Sequence, residues 1–248
     1  MKKQFSGEFF GTFILVFFGC GSVAGSILFD NFQGLFQIAS IWGIAVTLAI
    51  FFAAPLSGAH LNPAMTLAFV AVDKFSKKKI PLYFLAQFSG AFLAAALLFL
   101  LFQHQISSLE LNSTIERGSS ESLNTARIFG EYYPGSMFTA FLAEFLGTGL
   151  LAFFAFIFIE KARKNQLPDW FIPLGIGLVL TLLIAIFAPL SMAGFNPARD
   201  LAPRLFSSLA GWKSLPFQAN GMGWLTVYVV APFLGAPLGA WLAKKTPA

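Results

Sequence analysis

The sequence has few charged residues, two histidines and one cysteine. Asp, Glu, Lys and Arg make up 11% of its 248 residues, whereas 57% are hydrophobic, and the mean hydropathy is +0.74. A soluble globular protein carries about 25% charged residues, so this composition excludes that class and predicts a protein that lies in lipid. The single cysteine, Cys20, excludes a disulfide within the chain and a cysteine-based metal site.

The basic residues lie in clusters beside apolar segments. Lys and Arg number 16 against 11 Asp and Glu, which gives a net charge of +5. A basic protein can bind nucleic acid, but clusters that flank apolar segments are typical of the cytoplasmic loops of membrane proteins, so we expect no nucleic-acid partner. The clusters are Lys2–Lys3, Lys74 with Lys77–Lys79, Lys161 with Arg163 and Lys164, and Lys244–Lys245.

Six apolar segments are long enough to cross a bilayer as helices, because about 20 helical residues span roughly 30 Å of hydrocarbon. Two further apolar segments, 62–72 and 196–206, cover half that thickness at most. Each begins with Asn-Pro-Ala, and Asn followed by Pro is a favoured start of a helix. The full spans are expected at 5–29, 35–56, 80–103, 136–159, 170–190 and 222–243, and the two motifs are Asn62, Pro63, Ala64 and Asn196, Pro197, Ala198.

The two halves of the chain repeat one pattern. The stretch EFFGT that begins at Glu8 recurs as EFLGT at Glu144, and the PLS at 55–57 recurs at 189–191. Each repeat has three full spans, so the second repeat enters the membrane from the opposite side. The basic clusters then lie on one side, which places both termini in the cytoplasm.

This pattern predicts an all-α membrane protein with six transmembrane helices and two re-entrant half-helices in an inverted repeat. We expect a single transmembrane domain over 1–248, with repeats at about 1–110 and 136–248 joined by an extracytoplasmic loop at 104–135. A bacterial plasma (inner) membrane is the expected location.

The two half-helices predict a pathway for solutes. Non-helical backbone at membrane depth is stable only where it is buried in protein or lines a watery cavity. Two helix N-termini that meet at the midplane carry partial positive charge, which opposes cations. The side-chain amides of Asn62 and Asn196 can donate to a hydroxyl or water oxygen, and the alternative is that both residues only cap their helices.

Five charged residues inside the apolar segments require an explanation. Arg199, one turn after Asn196, is predicted to line the pathway, bind solute oxygens and repel cations; the alternative is a salt bridge to a nearby acid. Glu8 and Glu144 are predicted to accept hydrogen bonds from the loops before the half-helices; the alternative is a proton relay. Asp200 and Arg204 are predicted to form a structural i,i+4 pair.

These motifs resemble the aquaporin, or major intrinsic protein, family. The stretch SGAHLNPA at 57–64 and the stretch NPARD at 196–200 carry the resemblance, which extends over essentially the whole chain. It implies one pore per protomer and a homotetramer. Asp200 directly after Arg199, Pro232-Phe233 in the last span and the long outer loop resemble the glycerol facilitators within this family.

The same resemblance implies a set of pore-lining residues. Trp42 is typical of a glycerol facilitator, whereas such proteins have Gly at Ile184 and Phe at Ala193, a difference for which Phe195 is expected to compensate in part. The combination resembles plant nodulin-type channels and implies a wider amphipathic pore. The expected filter is Trp42, Ile184, Ala193 and Arg199, and the expected lumen carbonyls and polar groups are Gly58, Ala59, His60, Met192, Ala193 and Gly194, with Phe195 beside them.

The expected function is a passive channel for glycerol and similar small uncharged solutes, and for water, that excludes ions and protons. Alternatives with the same fold are a channel for water, urea or undissociated metalloid acids. A secondary transporter is a further alternative, since inverted repeats with broken helices also occur in transporters. Against it, the half-helices have no acid beside either Asn that could bind a coupling ion, and Asp200 lies one turn beyond Asn196. No enzyme, cofactor or metal site is expected, because the sequence has no nucleotide-binding loop and no nucleophile beside a base.

Overall fold

A computed structural model describes residues 1–246, and these residues form helices and loops without a β-strand. Short 3₁₀ turns at Lys77–Lys79 and Ser120–Ser122 and π-helical turns at Ser208–Trp212 and Thr226–Val230 join or extend the α-helices. In chain order the α-helices are α1 Lys2–Phe29, α2 Leu35–Ser57, α3 Pro63–Ala71, α4 Ile80–Asn112, α5 Leu123–Ala126, α6 Met137–Asn165, α7 Phe171–Ser191, α8 Pro197–Ser207, α9 Leu215–Gln218, α10 Gly223–Leu225 and α11 Ala231–Lys245.

Six helical segments in the described range are long and apolar enough to cross a membrane, as the sequence predicted. Two of them run further than the apolar residues do: α4 continues to Asn112 instead of 103, and α6 to Asn165 instead of 159. Gln, Leu, Glu, Lys and Arg are good helix formers, so the end of the apolar residues does not end the helix. The joining segment at 104–135 therefore begins as helix and contains α5, rather than being loop throughout.

The two half-helices α3 and α8 begin directly after the Asn residues of the two motifs. The Asn62 side chain accepts a hydrogen bond from the Ala64 amide at 2.8 Å, and the Asn196 side chain accepts one from Ala198 at 3.0 Å. Both helices have Pro in the first turn, where its missing N–H costs no helical hydrogen bond. Local sequence alone therefore explains where each half-helix begins.

The helices pack as two similar groups that exchange their half-helices. In the first group α1 packs on α2 and α4, and in the second α6 packs on α7 and α11; α2 and α7 join the groups. Half-helix α3 packs on α11 of the other repeat, and α8 packs on α4. This exchange brings the N-termini of α3 and α8 together in the middle of the molecule.

Small residues allow the two groups to approach closely. A Cβ on Gly43 of α2 would lie 2.5 Å from the Gly177 carbonyl oxygen of α7, so only glycine fits at this crossing. Close approach through small residues is the usual packing mode in lipid, where no hydrophobic effect drives helices together. The outward face of α7 instead exposes large apolar residues four positions apart, such as Leu178, Leu182 and Ile186.

Candidate pore

The two half-helices meet through the side chains of Asn62 and Asn196. Asn62 Nδ2 donates to the Phe195 carbonyl at 2.9 Å, and Asn196 Nδ2 donates to the Leu61 carbonyl at 2.8 Å. Each amide thus bonds the residue that precedes the other Asn. Because an amide nitrogen carries two hydrogens, each Asn caps its own helix, bonds the opposite loop and retains one N–H.

The loops before the two Asn residues have a strained backbone. Ala59 and Leu61 before Asn62, and Ala193 and Phe195 before Asn196, have φ between 52° and 56°. This left-handed conformation costs roughly 1–2 kcal/mol for a residue with a side chain. The left-handed conformation turns successive carbonyls and amides in different directions. Hydrogen-bond partners are needed to stabilise it.

Glu8 and Glu144 supply those partners. Glu8 accepts hydrogen bonds from the His60 amide at 2.9 Å and the Leu61 amide at 2.7 Å. Glu144 accepts them from the Gly194 amide at 2.8 Å and the Phe195 amide at 2.6 Å. Both carboxyl groups are fully buried, so each serves as an internal acceptor for the loop of its own repeat.

A narrow cavity of about 70 Å³ runs past the two Asn residues. A single water centre needs roughly 10–15 Å³, so the cavity accommodates a short file of waters or one small solute. All four expected filter residues line it together, although they come from separate parts of the chain. The residues named from the sequence that line it are Trp42, Ile184, Ala193 and Arg199 with Ala59, His60, Asn62, Gly194, Phe195 and Asn196.

Gly58 and Met192 lie differently from the other expected pore residues. Gly58 lines a wider cavity of about 760 Å³, which shares Ala59 and Met65 with the narrow one. Met192 lines neither of these two cavities; it is the left-handed residue that ends α7, and its amide donates to the Ala188 carbonyl at 2.8 Å.

Arg199 lies between an aromatic ring and an acid. Its guanidinium carbon lies 4.1 Å from the centre of the Trp42 ring, and its Nη2 forms an ion pair with the Glu131 carboxylate. The Trp42 indole packs directly on Gly19 of α1, so closely that a Cβ at position 19 would collide with the ring. Arg199 therefore lines the cavity and also pairs with an acid.

The sequence showed four acids in the outer segment, but no local signal distinguished Glu131 from Glu110, Glu116 and Glu121. The structure buries Glu131 and leaves it in contact with α8. Burial raises the pKa of the Glu131 carboxyl to about 7, although Arg199 opposes that shift.

Asp200 and Arg204 form the expected pair and also bind the outer loops. Arg204 Nε donates to Asp200 Oδ2 at 3.0 Å. Arg204 also donates to the Glu131 and Pro216 carbonyls, and Asp200 accepts from the Glu131 amide at 2.7 Å. The outer segments that contain Glu131 and Pro216 are thus attached to half-helix α8.

His60 lines the narrow cavity. Its ring stacks on Phe69 with centres 4.2 Å apart, and its Nδ1 lies 3.2 Å from Thr66 Oγ1. Across residues 1–246, no group of three His, Cys, Asp or Glu side chains is placed to hold a metal ion.

Comparisons with known proteins agree with this arrangement. The glycerol uptake facilitator protein of Haemophilus influenzae is 40% identical over an alignment of 249 positions, which covers 99% of this chain and 94% of that protein. The propanediol uptake facilitator of Salmonella typhimurium is 36% identical, over 97% of this chain and 92% of that protein. The X-ray structure of the aquaglyceroporin from Plasmodium falciparum matches with a TM-score of 0.86 and 28% identity, over 98% of this chain and 96% of that one.

The chain is therefore a multi-pass membrane protein with the aquaporin fold, and it is a passive channel rather than an enzyme. The model of the family described as "Major intrinsic protein" matches residues 1–243, nearly the whole sequence, and this chain belongs to that family.

Proposed function

We propose that this protein is a passive channel for glycerol and similar small uncharged solutes, and for water, that excludes ions and protons. The observation that carries the proposal is the mixed polar and apolar lining of the narrow cavity. Asn62, Asn196 and Arg199, which have hydrogen-bonding groups, line it together with the apolar residues Trp42 and Ile184.

This lining suits a small polyol. The carbon-bound hydrogens of such a solute can contact Trp42 and Ile184 while its hydroxyls accept hydrogen bonds from Arg199 and the Asn amides. Relatives whose names refer to glycerol and propanediol uptake support the same solute class.

The electrostatics of the cavity support the exclusion of cations. The N-termini of α3 and α8 and the Arg199 guanidinium all place positive charge beside it. In the described residues no Asp or Glu lines the narrow cavity, so no side-chain carboxylate is present there to bind a coupling cation. This argues for a channel and against an ion-coupled transporter.

The filter residues favour a wider pore than a filter with Phe at position 193 would have. Ala193 has only a methyl group, and the Phe195 ring packs on Gly147 of α6, with its centre 6.2 Å from that of Phe187. We therefore include urea and undissociated metalloid acids among the solutes to be tested.

We further propose that the chain forms one channel domain with both termini in the cytoplasm, in the plasma (inner) membrane, as a homotetramer surrounded by lipid. Basic residues flank α1, α3, α6 and α11 at ends that share one side under this topology, which supports the orientation. The outward apolar side chains of α7, such as Leu178 and Ile186, suit contact with lipid or with another protomer.

Stopped-flow light scattering on proteoliposomes tests the solute assignment. Glycerol, urea and water fluxes are each compared with those of protein-free vesicles. We expect glycerol flux well above the background, proportional to its concentration gradient and independent of any ion gradient. Water flux without glycerol flux would instead indicate a water channel, and saturation or dependence on an ion gradient would indicate a transporter.

A further inference from the structure

The Glu131 carboxylate lies behind the filter rather than in it. The narrow cavity is lined by Arg199 and Trp42, whereas Glu131 contacts the guanidinium and is absent from the described lining. In their ion pair the side chains of both residues are only 6% exposed. Glu131 therefore acts on solutes only through Arg199.

The main chain of Glu131 is held in place independently of its carboxylate. Its amide donates to Asp200 Oδ1 at 2.7 Å, and its carbonyl accepts from Arg204. The next ring, Tyr132, lies 4.5 Å from the Arg204 guanidinium carbon. A change confined to the Glu131 carboxyl group therefore leaves the outer segment attached to α8.

Arg199 has one direct acidic partner among residues 1–246. Asp200 is engaged by two nitrogens of Arg204, at 2.9 and 3.0 Å. The guanidinium is thus placed by Glu131 on one side and by the Trp42 ring on the other.

We propose that Glu131 is a positioning residue of the filter: its carboxylate holds the Arg199 guanidinium at the wall and so sets how the channel discriminates between glycerol and water. The inference rests on the proposed function, because Arg199 is taken there as the hydrogen-bond donor to the solute. When the carboxylate loses its charge, the guanidinium is held less firmly, projects further into the passage and carries an uncompensated charge. Solutes larger than water are then slowed most.

The position of Glu131 makes this device sensitive to pH. Burial raises the pKa of its carboxyl to about 7, so the ion pair is complete above that pH and weakened below it, while Arg199 stays charged. Other titratable or charged groups interact electrostatically with Glu131. They are Asp200 and Arg204 of α8, Glu144 of α6, Cys20 of α1, and Tyr132 and Tyr228.

The test measures glycerol and water fluxes in proteoliposomes that have the same pH inside and outside, from well below to well above the pKa of about 7. In the unsubstituted protein the ratio of glycerol to water flux should fall about fivefold on acidification, a factor that corresponds to about 1 kcal/mol. Glu131→Gln should show the low ratio at every pH, and Glu131→Asp should keep the pH dependence because it keeps a titratable charge.

Glu110→Gln is the matched control. Glu110 is also a buried acid at the outer side, and it pairs with Arg117 at 2.8 Å instead of with the filter. The Glu110→Gln variant should therefore have the same ratio of glycerol to water flux, and the same pH profile of that ratio, as the unsubstituted protein.

The proposal is overturned if Glu131→Gln has the same ratio of glycerol to water flux, with the same pH profile, as the unsubstituted protein. It is also overturned if Glu110→Gln changes this ratio as much as Glu131→Gln does. If the unsubstituted protein conducts water but no glycerol, the proposed solute is wrong. In that case the pH profile of water flux alone, compared between the unsubstituted protein and Glu131→Gln, decides whether Glu131 positions Arg199.

Discussion

A glutamine in place of Glu144 should destabilise this protein more than a glutamine in place of Glu8. Glu144 Oε1 accepts from Ser191 Oγ at 2.7 Å and from the Gly194 amide at 2.8 Å, and Oε2 accepts from the Phe195 amide at 2.6 Å. Glutamine has nearly the same shape but replaces one oxygen with an NH₂ group, which cannot accept. At least one backbone N–H would then face another donor in a fully buried site.

The first repeat contains a partner that can adapt. Gln87 Nε2 donates to Glu8 at 2.7 Å, while Gln87 Oε1 is buried without a hydrogen-bond partner in the described structure. In Glu8→Gln the Gln87 amide can turn over and accept from the new NH₂ group. In the second repeat Pro232 follows Tyr228 by four residues, as Gln87 follows Tyr83, and proline offers no such group.

The expected magnitudes follow from these hydrogen bonds. A hydrogen bond to a charged group contributes about 1.5–3 kcal/mol, and an unsatisfied buried donor adds a penalty, so Glu144→Gln should cost about 3 kcal/mol. Glu8→Gln should cost about 1–2 kcal/mol, because Gln87 compensates for part of the loss.

Thermal unfolding in one detergent, together with glycerol flux in vesicles, measures both variants. Glu116→Gln is the control: its side chain is 82% exposed, and it forms only a long surface ion pair with Lys213 at 3.6 Å. An equal or larger loss for Glu8→Gln would refute the reasoning, since it would show that Gln87 does not adapt.

Three further substitutions test the pore and its packing. Ala193→Phe should narrow the filter and reduce glycerol flux more than water flux; equal loss of the two in light scattering would contradict the assignment of the filter. Arg199→Ala should raise cation or proton leak, measured with a pH-sensitive dye in the vesicles, and an unchanged leak would show that the half-helix termini are sufficient. Gly43→Ala should push α2 away from α7 at Gly177 and lower the free energy of unfolding by about 1–3 kcal/mol, measured by thermal unfolding. An unchanged stability would show that the two helices can move apart at this crossing without loss.

The six spans and the two half-helices were predictable because their signals are local. Length and hydropathy define the spans, and Asn followed by Pro defines where α3 and α8 begin. Helices α4 and α6 continue past the predicted membrane spans, because the change from apolar to polar residues does not by itself end a helix. Trp42, Ile184 and Ala193 were named only through a family resemblance, since nothing in their own surroundings indicates a shared cavity.

By itself, the sequence determined the membrane class, the duplication and the helix starts, since each of these depends on chemistry within a few residues. Only the tertiary structure decided that Leu61 and Phe195 offer their carbonyls to the opposite Asn side chains, and that Glu131 rather than another outer acid meets Arg199. Those contacts join residues far apart in the chain. They arise because each half-helix packs on the opposite repeat, an exchange that no local pattern encodes.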